Sequence, residues 1–366
     1  MRSGPIMKIG LWCGFVPLLL ASPWALAGPE YFVRVEADAF AAPVSIHAFT
    51  DDWQDKLEHG HVAFLDGDAE VGFRDAQSTL SLVRRYDYLL HFTDDTARIY
   101  YQYKNHLPPD VGRNYPLDVR VRHVESKGVR YAYNYKSEEP DRLQVDVGVS
   151  LLQGQQLTDG ELTGNAEFLS PTADITSIQS LVANVDYHYS QPALHEQRLG
   201  WNPDAPDGYG YSLDLALRAR LGERWHLSAS LLNVLGEMYW SRVPVTHYVV
   251  TCQCYLGSYR TNGVMQYDDH FNQQLPLVGR SELRYEPGSS WYLVAGAFYN
   301  PLVLLGSAGV GYRYGIAQTQ LSVEPQTHSL SFRYDHRHIG LRWQADTLNF
   351  NKAHRLGADI YAHYRW

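Results

Sequence analysis

Along most of this chain, apolar and polar residues take turns. Tyr86, Tyr88, Leu90 and Phe92 alternate with Asp87 and His91, and Ile99, Tyr101 and Tyr103 with Arg98, Gln102 and Lys104. Val119 and Val121 sit among Asp118, Arg120 and Arg122; Val129, Tyr131, Tyr133 and Tyr135 alternate with Arg130, Asn134 and Lys136. Leu143, Val145, Val147 and Val149 follow against Gln144, Asp146, Gly148 and Ser150. The longest run sets Tyr211, Leu213, Leu215, Leu217, Ala219 and Leu221 against Ser212, Asp214, Arg218 and Arg220, and the pattern resumes at Trp225, Leu227, Ala229 and Leu231. A period of two is the side-chain period of a β-strand, so each run predicts a strand with one greasy and one wet face. Weaker runs predict strands at 160–168 and 181–190, and further ones at 279–286, 291–299, 308–314, 317–324, 329–335, 338–346 and 358–366. No 3.6-residue periodicity competes.

Connection lengths organise these strands. Ser137–Asp141, Gly222–Arg224, Pro287–Ser290, Gly315-Ile316 and His336-Arg337 are short, whereas 190–208, 253–278, 300–307 and 347–357 are long. Short and long connections alternate if 225–252 is one long strand, bent near Gly236 or Pro244 and projecting beyond a membrane. The expected fold is all-β: a single transmembrane antiparallel β-barrel of about sixteen strands between residues 81 and 366, within a range of roughly fourteen to eighteen.

Composition separates this reading from a soluble sandwich. A sandwich would bury Val, Ile and Leu on its apolar face, but here that face is loaded with Tyr, of which the chain has 27, beside 9 Trp and 12 Phe. Aromatic girdles at the two membrane interfaces account for such a count. The mean hydropathy of -0.33 excludes a helical membrane protein and suits strands with one watery face. The net charge of -9 argues against nucleic acid as a partner. Residues 1–27 read as a cleaved signal peptide: Met7-Lys8, an apolar core from Ile9 to Leu20, and the small-x-small site Ala25-Leu26-Ala27. The apolar run is too short for a spanning helix and is interrupted by Pro17 and Pro23. Residues 28–80 are the least barrel-like, with the polar stretch Asp51–His61, and are expected to be a plug, a periplasmic extension or extra strands; residues 81–366 form the barrel.

Candidate chemistry lies on the wet faces. Arg98, Arg120, Arg122, Arg130, Asp146, Asp186, Asp214, Arg218, Arg220, Arg313, Arg333, Arg342 and Asp359 are the candidate pore-lining residues, able to set a transverse field across a lumen. The alternative is a closed interior in which the same charges cross-link the wall. Loss of the leader removes Cys13 and leaves Cys252 and Cys254, read as a small disulfide; two thiolates without further ligands make a poor metal site. Asp268-Asp269-His270 could activate water at a barrel mouth, but no serine motif accompanies it, and a solvated acidic loop is the simpler account. His188, His226 and His338 read as polar wall groups, and Pro301–Leu305 as either an apolar outer loop or a strand continuation. No catalytic residue, metal or cofactor is expected.

The last nine residues, with Ile360, Ala362, Tyr364 and Trp366 on one face, resemble the C-terminal strand by which the barrel-assembly machinery recognises bacterial outer-membrane barrels. The segments Gly208–Asp214 and Leu231–Trp240 resemble a strand pair of the long-chain-fatty-acid-transporter-like and PorV-like barrels, which implies a barrel of this size acting as a hydrophobic-solute channel or a secretion-associated component. The acidic residue of that family's pattern is replaced here by Val234-Leu235, and its N-terminal hatch is not recognisable. The expected function is a passive or weakly selective channel in the bacterial outer membrane, with outer-membrane lipid, the assembly machinery and a small solute as partners. A plugged barrel accessory to secretion, surface-polymer export or envelope assembly is the second expectation, and an outer-membrane hydrolase the third.

Overall fold

A computed structural model describes residues 29–137, 142–170, 178–194, 196–288 and 290–365. The expected signal peptide and Trp366 lie outside the described residues. The strands are β1 (Glu30–Ala41), β2 (Val62–Arg74), β3 (Ser78–Phe92), β4 (Asn114–Lys136), β5 (Leu143–Phe168), β6 (Ile178–Tyr189), β7 (Asp207–Leu221) and β8 (Trp225–Gln253). They continue as β9 (Ser258–Gln274), β10 (Val278–Tyr285), β11 (Trp291–Asn300), β12 (Val303–Tyr314), β13 (Ala317–Glu324), β14 (Ser329–His336), β15 (Ile339–Ala345) and β16 (Arg355–Arg365). Among the described residues two α-helices, α1 (Ile46–Thr50) and α2 (Asp94–Lys104), sit in connections.

Every pairing is antiparallel, and β1 pairs with both β2 and β16, so the sheet closes on itself. The wall runs β1-β2-β3-β4-β5-β7-β8-β10 and then in order through β16, which makes fourteen strands among the described residues. The remaining two lie outside the closed ring. β6 pairs with the far ends of β5 and β8, and β9 pairs with the far half of β8. Thus β6 stands above β7, and β9 above β10, in two strand positions that are each interrupted once. The 29-residue β8 runs through both levels.

The expected count of sixteen is therefore corrected to fourteen wall strands plus two outside them, and the reasons are local. Residues 98–104 are not a strand. Thr93 caps α2 by accepting from the Thr96 amide, Asp94 and Asp95 occupy the first turn, and Lys104 the last. Those groups satisfy free amides and complement the helix dipole, outweighing a three-residue alternation. The runs at 118–122 and 129–136 are one strand, β4, continuous across a bulge between Glu125 and Ser126. β5 likewise joins two predicted strands. The expected loop 253–278 holds β9, and the expected loop 300–307 shrinks to a tight turn in which the Asn300 side chain accepts from the amides of Leu302 and Val303. Residues 30–41 and 62–74 are wall strands, and the assumed boundary at residue 81 falls inside β3.

Outward positions are apolar: Val33 and Val35 on β1, Leu80 and Leu82 on β3, Leu293 on β11, Leu321 and Val323 on β13 are all exposed. In water such a belt is unfavourable; in a bilayer it is the required surface, and closure pairs the backbone groups that lipid cannot satisfy. No helix among the described residues is long and apolar enough to cross a membrane. Closure and the apolar belt make this a membrane-spanning β-barrel of the outer-membrane type. Short turns mark its periplasmic end, and the longer connections, β6 and β9 its outer end.

Candidate functional site

Inward positions on β1, β2 and β3 are acidic. Register places Glu36 opposite Asp68, Asp38 opposite Asp66, and Asp66 opposite Asp87, all turned to the lumen because alternate residues on these strands carry the outer belt. Arginines reach this acidic wall from other strands. Arg280 on β10 places Nη2 2.6 Å from Asp66 Oδ1 and 3.2 Å from Asp38 Oδ2, and its Nε 2.8 Å from Glu36 Oε1. Arg342 on β15 is 2.8 Å from Asp38, and Arg355 on β16 bridges Asp38 at 2.9 Å to Glu324 at 3.0 Å. Asp38 is fully buried. Such a carboxylate is tolerable only with matched partners, since losing one leaves a desolvated charge.

The Arg280 contacts cross the lumen. β2 and β11 are separated along the wall by β3, β4, β5, β7, β8 and β10, yet Phe64 and Phe298 stack with centroids 5.5 Å apart. The Arg280 and Arg355 guanidinium groups lie over the Phe298 ring. A second bridge joins β3 to β7 and β8. Arg85 donates to Asp214 at 2.6 Å and to Asn233 at 2.9 Å, while Arg130 on β4 reaches Asp214 at 3.2 Å and Glu70 at 3.3 Å. Asn233 sits in a bulge of β8 with φ 57°, a left-handed conformation that Asn tolerates better than most residues. The amide of Asn233 donates to Asp214, and its side chain donates to the Pro276 carbonyl. Side-chain bridges thus cross the barrel interior at two places.

An apolar cluster lies beside the second bridge, containing Val83, Val124, Leu157, Met238, Trp240 and Leu275. Trp240 fits because Gly154 and Gly208 leave room; a Cβ at either would overlap its ring. Toward the outside, a cavity of about 530 Å³ opens between β3, β4, β5, β6 and the β11–β12 turn. His91, Arg120, Arg122, Asp159, Glu161, Asp186 and His188 line it, with Leu89, Pro301 and Leu302 as an apolar margin. His188 Nε2 lies 2.7 Å from Asp268 Oδ2, its ring stacked on Phe271, and His247 lies 3.1 Å from Asp186. Burial pushes the Asp159 carboxyl up from its ordinary value, with the Gln273 amide and Arg122 pulling the other way. Burial and a hydrogen bond to Glu196 likewise raise Tyr187. No group of His, Cys, Asp and Glu among the described residues could hold a metal ion.

The thirteen residues proposed from sequence distribute over this plan. Arg120, Arg122 and Asp186 line the outer cavity. Arg130, Asp214 and Arg342 belong to the constriction. Asp359 faces Arg342 across the β15–β16 pair and lies 3.8 Å from Arg34. Arg333 pairs with Asp335 at 2.9 Å, and Arg313 with Glu286 at 2.5 Å. Asp146, Arg218 and Arg220 share the inward register near the periplasmic end, opposite Asn134, Gln144 and His226 respectively. Arg98 is the exception: on α2, outside the wall, it lies 3.5 Å from Asp110. Ile360, Ala362 and Tyr364 stand on the outer face of β16, and Cys252 and Cys254 are joined as a disulfide at the end of β8. The constriction's central groups, Glu36, Asp38, Asp66, Asp68, Arg85, Arg280 and Arg355, escaped the sequence reading. Two runs signal them: Arg34-Val35-Glu36-Ala37-Asp38-Ala39 and Asp66-Gly67-Asp68-Ala69-Glu70-Val71 alternate as cleanly as any later strand.

No protein-family model and no curated protein matches the chain. Among solved structures it is similar to the TodX deltaS2S3 mutant monoaromatic hydrocarbon channel, at 10% identity over 93% of this chain and 90% of that one, with a TM-score of 0.41. It is also similar to the P. putida toluene transporter TodX, at 10% identity over 93% and 88% with a TM-score of 0.39. The Ralstonia pickettii toluene transporter TbuX shows 9% identity over 93% and 90%, with a TM-score of 0.30.

Proposed function

We propose that this barrel is an outer-membrane channel for small polar solutes, held closed at rest by the Arg280 ion-pair latch. The observation that carries the reading is the order of features along the lumen. A charged cavity at the outer mouth adjoins a constriction made of side chains, which can part without unfolding a strand. Opposed acidic and basic walls stabilise solutes of either sign at a narrow point. In planar bilayers the wild type is expected to open rarely. Arg280→Gln removes the charge that ties Glu36, Asp38 and Asp66 across the lumen, and should raise the open probability at least severalfold. Arg218→Glu, near the periplasmic mouth and outside the latch, should shift the reversal potential in a salt gradient toward cation preference. Absence of stable openings from both wild type and Arg280→Gln sinks the channel reading.

A second reading is a closed barrel accessory to secretion, surface-polymer export or envelope assembly. The stacked Phe64–Phe298 pair favours it, because an apolar contact across the lumen serves no aqueous path. The same conductance experiment separates the two.

A further inference from the structure

Ion pairs inside this barrel are of two kinds. In the constriction they are tight: Arg280 meets Asp66 at 2.6 Å, and Arg355 meets Asp38 at 2.9 Å. In the outer cavity they are slack. Arg120 Nε lies 3.5 Å from Asp118 Oδ1 and 3.8 Å from Glu161 Oε2, and Arg122 Nε lies 3.7 Å from Asp159 Oδ2. These are distances at which the pairs attract without a hydrogen bond. Neither guanidinium donates a hydrogen bond among the described residues, and the two side chains are 64% and 42% exposed. Register sets the layout: Arg120 stands opposite Glu161, and Glu161 opposite Asp186, with Arg122 opposite Asp159 in the next row. On its inner face β4 therefore offers a basic stripe, Arg120 and Arg122. β5 and β6 offer an acidic one, with Glu161 and Asp186 half exposed.

These stripes select by charge. A free guanidinium fork matches a carboxylate in two parallel hydrogen bonds, and half-exposed carboxylates accept from an ammonium. A ligand carrying only negative charge would meet Asp159, Glu161 and Asp186 as well as the arginines; one carrying only positive charge would meet Arg120 and Arg122. An uncharged ligand would take water from all of these groups and return little. The stripes stand one to two strand spacings apart, about 5–10 Å, which an extended di- or tripeptide of roughly 7–10 Å spans. The cavity, about 530 Å³, has room for such a molecule, and Pro301 and Leu302 give it an apolar margin. We propose, on the reading of this cavity as a channel's outer mouth, that it binds zwitterionic short peptides. The terminal carboxylate lies on Arg120 and Arg122, the terminal ammonium on Glu161 and Asp186, and an apolar side chain against Leu302.

The test is calorimetric titration of the refolded barrel, in uncharged detergent, with leucyl-leucine, N-acetyl-leucyl-leucine and leucyl-leucinamide, which differ in one terminal charge each. Wild type should bind leucyl-leucine about tenfold or more tighter than either blocked peptide, as expected for one charge-assisted hydrogen-bonded contact. Arg122→Gln should weaken leucyl-leucine about tenfold and leave leucyl-leucinamide unchanged. Glu161→Gln should weaken leucyl-leucine similarly and leave N-acetyl-leucyl-leucine unchanged. Heat-modifiability on a gel verifies that each variant is folded, and Arg120→Gln replaces Arg122→Gln should the latter fail. Equal binding of the three peptides by wild type, no binding of any, or substitutions that weaken both blocked peptides alike overturn the proposal. Because binding is read without current, a barrel that conducts but does not discriminate the peptides overturns this assignment alone. Selective binding by a barrel that never opens upholds the site and overturns only the channel reading.

Discussion

At the scale of single residues, the constriction depends on pairing more than on any one charge. Arg280 neutralises carboxylates from two strands, and neither Asp38 nor Asp66 has bulk water to fall back on. Arg280→Gln should therefore cost about 3–5 kcal/mol of stability, read from urea unfolding in detergent, besides its effect on conductance. Trp240 makes a complementary case in which the cost is steric. Gly154→Ala places a methyl group against its ring, and overpacking of this kind costs about 1–3 kcal/mol. Coupling Gly154→Ala with Trp240→Phe should recover part of the loss; if the two costs simply add, the contact is not the cause.

Elements show how a local device fixes each strand's ends. In the turn between β2 and β3, Asp75 accepts from the amides of Gln77 and Ser78 and from the Ser78 hydroxyl. Those bonds favour the charged form and hold the Asp75 carboxyl below its ordinary value. A folded-state value below the unfolded one means that the turn gains support above the unfolded value, and loses it as pH falls through the folded one. Hydrogen exchange at the Gln77 and Ser78 amides should accelerate in acid beyond the intrinsic rate change, and Asp75→Asn should remove that extra pH dependence. α2 shows a local device overriding a pattern: the cap at Thr93 and the acids after it turn a would-be strand into a helix. Bulges act in the opposite sense. The irregularities at Glu125/Ser126 on β4 and at Asn233 on β8 let strands run on where a sequence reader sees a break.

At the scale of the molecule, the proposed channel function turns on how far the pinch blocks the lumen. A ring of fourteen strands encloses space that its own side chains do not fill unless the walls approach. Here two bridges bring them together: Arg280 with Phe64–Phe298, and Arg85 with Asp214 and Asn233. The outer cavity survives because β4, β5, β6 and β8 extend above the bridges and carry Arg120, Arg122 and their acidic partners with them. The conductance of Arg280→Gln and the selectivity of Arg218→Glu are predictions at this scale, since both depend on a path from end to end.

The period of two determined the class of structure, the facing of the strands and the short turns, because alternation and turn chemistry are local and need only neighbouring residues. It also put Arg130, Asp214 and Arg342 on the inner face. The sequence alone could not distinguish sixteen strands in a ring from fourteen with two above it, since β6 and β9 alternate like any wall strand and differ only in what they pair with. Nor could it show that Asp38, Asp66 and Arg280 meet. Arg280 lies more than two hundred positions from either aspartate, and only closure of the ring and the approach of its walls bring them into contact.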